Sequence, residues 1–516
     1  MRTFTTRRLT AAFLAILALT AFPALAQDAS QVLRLSVSYR TLKNTATLSE
    51  ERRKEVEQLE TQARAAAQAG KFGDALRHYH HAMVLLRNQT WTPARALGLA
   101  LQLKADRVIF DPGDALRLKL TQSFALEEPL QGKFTGSLTL ARQKDKSLEA
   151  VKELKSLTGL DTDFTAQPLS LETAVPEVAD GDYQLVLTLK PGDGEPIVKS
   201  TTVRIARGLA ASASALKTRT AAVASDLKKR NQEGMLRALA PVEYAASLPD
   251  LANAGQLAVE RLDLKSELAA ASSLLDVIAK GENPLRAKRG DFRWAYRSTV
   301  DGELQPYRVY VPANYDPAKS YPLVVALHGM GGDEGSFFTA YSNGIIKREA
   351  EARGYIIVCP KGRAPASMYL GNAERDVIDV IGEMKRDFTI DPDRIYLMGH
   401  SMGGYGTWSV AANHPDLFAA LAPISGGGSA AALGKITHIP EIVIHGDKDP
   451  TVPVEESRKM VKAAQELKIE VKYIEVPGGN HGSVVVPAFK DIFDWFDAHK
   501  RQPKGAAKAA VTGQTR

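Results

Sequence analysis

Cysteine is almost missing: Cys359 is the only one among 516 residues. That excludes an intramolecular disulfide and any zinc cluster built on thiolates. Cys359 follows the apolar run GYIIV and precedes Pro360, so it reads as a buried thiol at a strand end rather than as a nucleophile. Acidic residues are missing from both ends. Residues 1–26 hold Arg2, Arg7 and Arg8 and no acid, and residues 501–516 hold Arg501, Lys504, Lys508 and Arg516 and no acid. The formal charge of +7, from 66 Lys+Arg against 59 Asp+Glu, therefore belongs to the two ends, and residues 27–500 are balanced. A balanced body lacks the overall positive field that counterion release exploits, so nucleic acid is not an expected partner. With 44% hydrophobic and 24% charged residues, the sequence as a whole has the composition of a globular chain.

A long membrane-spanning run is also absent. The most apolar stretch, Leu9 to Phe22, falls short of the ~20 residues a bilayer span needs. Arginines before it and Ala24-Leu25-Ala26 after it give the three parts of a secretory signal, with the mature chain expected to begin at Gln27. The expected location is secreted or periplasmic.

Residues 27–105 read as helical, and Gly70, Phe72, Ala75, Tyr79 and Ala82 resemble one tetratricopeptide helix-turn-helix unit. No second copy follows at a period of 34, so a plain helical hairpin is preferred. His78, His80 and His81 lie there without a matching carboxylate; they read as a solvated face, not a metal site. From 106 to 207 the period shortens to that of strands. Alternation at Leu116-Leu118-Leu120 and Tyr183-Leu185-Leu187-Leu189, with turns such as DPGD, predicts a small β-sandwich-like domain. Residues 208–283 return to helix. From 284 to 500 apolar strands alternate with helices: YRVYVP, PLVVALHG, GYIIVCP, RIYLMGH, AALAPISG, PEIVIHG and KYIEVPG. Continuous apolar strands mean a sheet covered on both faces, hence a doubly wound, mostly parallel α/β domain. The tail, 501–516, is expected to be disordered.

The sharpest chemical signal is Gly399-His400-Ser401-Met402-Gly403, after an apolar strand and at the start of a helix-like run. A nucleophile on a strained strand-to-helix turn needs small residues two before and two after it, because the backbone folds back there. A serine hydroxyl needs a base, and the base needs a group that fixes its tautomer. On such a fold these follow in the order Ser, acid, His, at strand ends. Asp447 and Asp449 follow EIVIHG, and His481 follows KYIEVPG. Asp449 is preferred as the acid, since the chain has left the sheet there, with Asp447 shaping the loop. His438 and His499 read as ordinary polar residues. Oxyanion donors are assigned to the backbone N–H groups of Met402, at the helix start, and Met330, in the loop after PLVVALHG. His328 precedes the nucleophile and is read as stabilising that loop. Phe337, Phe338, Tyr341 and Tyr369 are expected to supply pocket walls.

The blocks YRVYVPANYDPAKSYPLVVALHGMGGDE, DRIYLMGHSMGGYGTWSVAANHPDLFAALAPISGG, IHGDKDPTVPVEES and GGNHG resemble the α/β-hydrolase superfamily. Within it they are similar to secreted bacterial esterases of the feruloyl-esterase and polyhydroxybutyrate-depolymerase type and to related peptidases. The resemblance covers about residues 284 to 498. It implies a serine carboxylic-ester hydrolase acting through an acyl-enzyme on a small-molecule or polymer-linked ester, without metal or organic cofactor. A prolyl-oligopeptidase-like serine peptidase is the first alternative, although no propeller-length repeat is present. An envelope interaction protein, engaging a protein or polysaccharide through residues 27–283, is the second.

Overall fold

The computed structural model describes residues 29–501 except 30, 45, 192, 193, 286, 287 and 365. The expected signal, 1–26, and all of the expected tail beyond Arg501 lie outside the described residues. Backbone contacts divide the chain into two units, one running to Ala211 with Leu248–Leu264 added, the other formed by Ser212–Ser247 and the chain from Lys265 on.

In the first unit, helices cover 31–44, Glu50–Gln68, Phe72–Leu86 and Pro93–Ala100. Gly70, at φ 71°, makes the left-handed turn between the second and third. Val56, Leu59 and Ala63 on one helix share an apolar cluster with Ala75, Tyr79 and Ala82 on the next. The three histidines do not form a solvated face. All are half-buried, His81 stacks on Trp91 with ring centroids 4.6 Å apart, and burial lowers His80 to about 4. Among the described residues no group of three or more metal-ligating side chains occurs.

Two sheets follow. One orders Leu101–Ala105, Ala115–Gln122 and Leu169–Ala174; the other orders Ile109–Phe110, Ile197–Ile205, Gly181–Pro191, Phe134–Lys144 and Ser147–Leu160. Leu116, Leu118 and Leu120 from the first meet Leu138, Leu140, Leu185 and Leu187 from the second in a single core.

The second unit is built on eight strands: β1 Gly290–Arg297, β2 Leu304–Val311, β3 Tyr321–Leu327, β4 Ile356–Pro360, β5 Ile390–His400, β6 Ala420–Ile424, β7 Glu441–Gly446 and β8 Val471–Val476. Their order across the sheet is β8-β7-β6-β5-β3-β4-β2-β1. Only β2 runs against its neighbours; every pairing from β4 through β8 is parallel. Both faces are covered, which is why the strands read as unbroken apolar runs. Along β3, Leu323, Val325 and Leu327 enter one core cluster and Val324 and Ala326 the other. Helices α2 (Asn372–Asp387), α3 (Met402–Asn413) and α4 (Val454–Glu466) contribute to the first cluster, and α1 (Ile346–Arg353) and α5 (Val485–Ala498) to the second. Cys359 is buried in β4.

The expectation that Phe337, Phe338 and Tyr369 wall a pocket is overturned. Phe337 and Phe338 are 0% and 1% exposed within the second cluster, and Tyr369 is 0% exposed within the first. Large aromatic area is worth more to the core than to a solvent-filled wall.

Candidate active site

Strand β5 ends at His400, and the chain reverses into α3 through Ser401 at φ 58°, ψ −118°. A non-glycine residue rarely holds such a conformation, and its presence at a strand-to-helix turn marks stored strain. The flanking glycines make that turn sterically feasible. A Cβ on Gly399 would lie 2.2 Å from the Gly403 carbonyl oxygen, and one on Gly403 would lie 1.9 Å from the Leu327 carbonyl oxygen. A larger residue at Gly399 would force the turn itself open, and one at Gly403 would push α3 off β3. The Ser401 N–H donates to the Ile424 carbonyl on β6, tying the turn to the next strand. Its hydroxyl has no hydrogen-bond partner among the described residues.

The loops after β7 and β8 are locked together beside it. Lys448 N–H donates to Gly479 O at 3.0 Å, and Gly446 and Gly479 approach so closely that a Cβ on Gly446 would lie 2.2 Å from that carbonyl. Asp447 accepts the Gly478 N–H at 2.6 Å, so its carboxylate shapes the loop. Asp449 Oδ2 lies 2.7 Å from His481 Nδ1, while its Oδ1 accepts the N–H groups of Thr451 and Val452 at 2.8 and 2.9 Å. Burial would raise the Asp449 carboxyl, but hydrogen bonds from His445, His481 and Val452 outweigh it and hold it well below the usual carboxylate range. An ionised Asp449 requires the proton on His481 Nδ1, which leaves Nε2 as a lone pair; that nitrogen has no partner among the described residues. The His481 loop is held by Asn480, whose side-chain oxygen accepts the N–H groups of Gly482 and Ser483.

His445 was not singled out from sequence. Wholly buried, it puts Nε2 3.2 Å from Asp449 Oδ2 and 3.0 Å from the Val452 carbonyl, and Nδ1 2.6 Å from Ser457 Oγ. The signal was the spacing His-Gly-x-x-Asp across a strand end, where the turn brings the fourth residue back onto the histidine.

The loop after β3 passes beside Ser401. A Cβ on Gly329 would touch Ser401 Cβ at 3.4 Å. Met330, next in the chain, exposes its side chain, and its backbone N–H has no acceptor among the described residues. Met402 opens α3, so its N–H is one of the first-turn groups without an intrahelical acceptor. His328 is 0% exposed and spans the loop, with Nδ1 2.8 Å from Gly329 O and Nε2 2.7 Å from Lys361 O. His438 faces the Pro415 carbonyl and His499 the Trp495 carbonyl, away from these loops.

The prolyl oligopeptidase family model matches residues 367–440 and 429–502. A bifunctional acetylxylan esterase/xylanase of Neocallimastix patriciarum is 31% identical over 164 residues, 31% of this chain and 24% of that protein. A dipeptidyl-peptidase 5 of Porphyromonas endodontalis is 30% identical over 171 residues, 31% of this chain and 24% of that one. The chain thus spans about a quarter of the length of these two relatives. A probable feruloyl esterase C of Aspergillus oryzae is 30% identical over 183 residues, 34% of this chain and 68% of the relative. The chain belongs to the α/β-hydrolase superfamily, among the serine hydrolases that comprise feruloyl and acetylxylan esterases and related peptidases.

Proposed function

We propose that the chain hydrolyses carboxylic esters through an acyl-enzyme on Ser401. The observation that carries this is the Asp449–His481 pair at 2.7 Å, with the second ring nitrogen of His481 uncommitted, beside a serine strained on a strand-to-helix turn. In the reaction Ser401 Oγ attacks the ester carbonyl carbon as His481 Nε2 takes its proton. The tetrahedral oxyanion accepts the N–H groups of Met330 and Met402, each such donor being worth ~3 kcal/mol or more to the transition state. As the carbon–oxygen ester bond breaks, His481 returns the proton to the departing alkoxide. Water then repeats the sequence and releases the acid. Asp449, kept ionised, holds the tautomer and stabilises the imidazolium.

The named relatives favour aromatic-acyl or acetyl esters carried on a polymer as substrates. The peptidase relatives support a second reading, cleavage of peptide bonds by the same groups. Rates on p-nitrophenyl and feruloyl esters compared with peptide anilides separate the two; higher kcat/KM on the anilides would overturn the esterase reading. We further read the chain as exported, which N-terminal sequencing of the mature protein tests by finding Gln27 first, and residues 27–283 as the part that engages a protein or polysaccharide.

A further inference from the structure

The residue between Gly399 and the nucleophile is His400, whose ring is 6% exposed and makes two short contacts. Nε2 lies 2.8 Å from the backbone carbonyl oxygen of His481, and Nδ1 lies 2.6 Å from the hydroxyl of Tyr341. Burial lowers His400 to about 4, so near neutral pH the ring carries one proton. A carbonyl only accepts, which puts that proton on Nε2. Nδ1 is then a lone pair and accepts the Tyr341 O–H, so the tyrosine fixes the tautomer. Ser425 Oγ reaches the same His481 carbonyl at 3.4 Å. The rings of His400 and His481 stand 4.7 Å apart, and a Cβ on Gly329 would lie 3.5 Å from His400 Nδ1. One imidazole therefore touches the nucleophile turn, the base loop and the loop after β3.

We propose that His400 is a positioning residue: its Nε2–H grips the main chain of His481 while Asp449 holds that residue's ring, and Tyr341 keeps the gripping tautomer in place. This rests on the reading of His481 as the base. Two anchors, one on the backbone and one on Nδ1, leave the His481 ring no free axis, so Nε2 is presented to Ser401 at a constant distance. If the proton moved to Nδ1, the Nε2 lone pair would face a carbonyl lone pair and push the base loop away. Small displacements of a reacting group are expensive in rate.

The test measures kcat and KM for p-nitrophenyl acetate on the full chain and its variants His400→Gln, His400→Leu, Tyr341→Phe and Ser401→Ala. Glutamine puts an amide N–H where Nε2 stands, and leucine puts none. His400→Gln should keep kcat within about threefold, whereas His400→Leu should lose about ten- to a hundredfold and Tyr341→Phe about three- to tenfold, all with KM changed less than about twofold. A folded His400→Leu with wild-type kcat, or glutamine and leucine variants equally impaired, would overturn the proposal. Should His400→Leu fail to fold, Tyr341→Phe decides: wild-type kcat there overturns it. Turnover retained by Ser401→Ala would instead sink the underlying triad reading, so the two failures are told apart.

Discussion

Glu441 opens β7 with its carboxyl 1% exposed, one oxygen accepting the Trp408 indole N–H at 2.8 Å and the other without a partner among the described residues. Burial pushes it up to about 7, against the smaller lowering by the indole bond. The folded chain thus holds this proton more tightly than the unfolded chain does. The stability it contributes is fully present below its ordinary value of 4.5 and is lost as pH rises through about 7. Glu441→Gln keeps an acceptor for the indole and cannot ionise, so well above pH 7 the variant should be more stable by about 3 kcal/mol, converging with wild type in acid. Melting curves across that range check it; a constant offset at every pH contradicts it. At Asp449, loss of one hydrogen bond to a charged group costs about 1.5–3 kcal/mol, so His445→Leu should lower the melting temperature and kcat together. An unchanged variant would remove His445 from the support of the acid. Single residues were only partly legible in the sequence. Ser401, Asp449 and His481 stand at strand ends in the chain order the fold requires, whereas His445 lies inside an apolar strand, where side chains are expected to serve the core. Tyr341 was expected to wall a pocket, and its hydroxyl instead meets His400, a partner reached only through the tertiary fold.

Elements were most legible where both faces are buried, as in β3, β4, β6 and β7; β8, with no buried residue, is legible from its place in the strand–helix alternation. Strands β2 to β8 read as apolar runs, but β1, GDFRWAYR, did not, because it interleaves charge with aromatics. Its Asp291 and Arg293 are matched only in three dimensions, by Arg308 and Lys347 and by Glu334 and Glu267. The exposed strand Ser147–Leu160 was invisible for the related reason that it has little apolar face to pattern. The Ser401 turn is the opposite case, since two glycines and a serine imply its shape. Gly403→Ala would place a methyl 1.9 Å from the Leu327 carbonyl and must displace α3 from β3. We expect a loss of about 3 kcal/mol or more, or no soluble protein. A variant that melts within a degree of wild type would contradict the turn as described.

At the scale of the molecule, the composition that first invites an acidic partner belongs to the chain ends. The stretch 208–283, read from sequence as one helical region, is divided between the two units. Its parts in Ser212–Ser247 and after Lys265 join the unit of the eight-stranded sheet, and Leu248–Leu264 joins the other. Within the unit of the eight-stranded sheet Arg237 pairs with Asp387, whose side chain is 1% exposed, and Glu243 pairs with Arg297. Such ion pairs between segments far apart in sequence leave no periodicity to read. Arg237→Ala would strand a buried carboxylate, and we expect about 2 kcal/mol of stability to be lost with kcat/KM nearly intact in the folded fraction; equal melting temperatures would count against that tie. The central claim is that the whole chain acts through Ser401. It is tested most directly by the intact mass of the protein after treatment with a fluorophosphonate, alongside ester turnover. The wild-type chain should take one adduct, mapped to the Ser401 peptide, with turnover lost in step; Ser401→Ala should take up no adduct and turn over no ester. Labelling of another residue, or ester hydrolysis undiminished in Ser401→Ala, would contradict it.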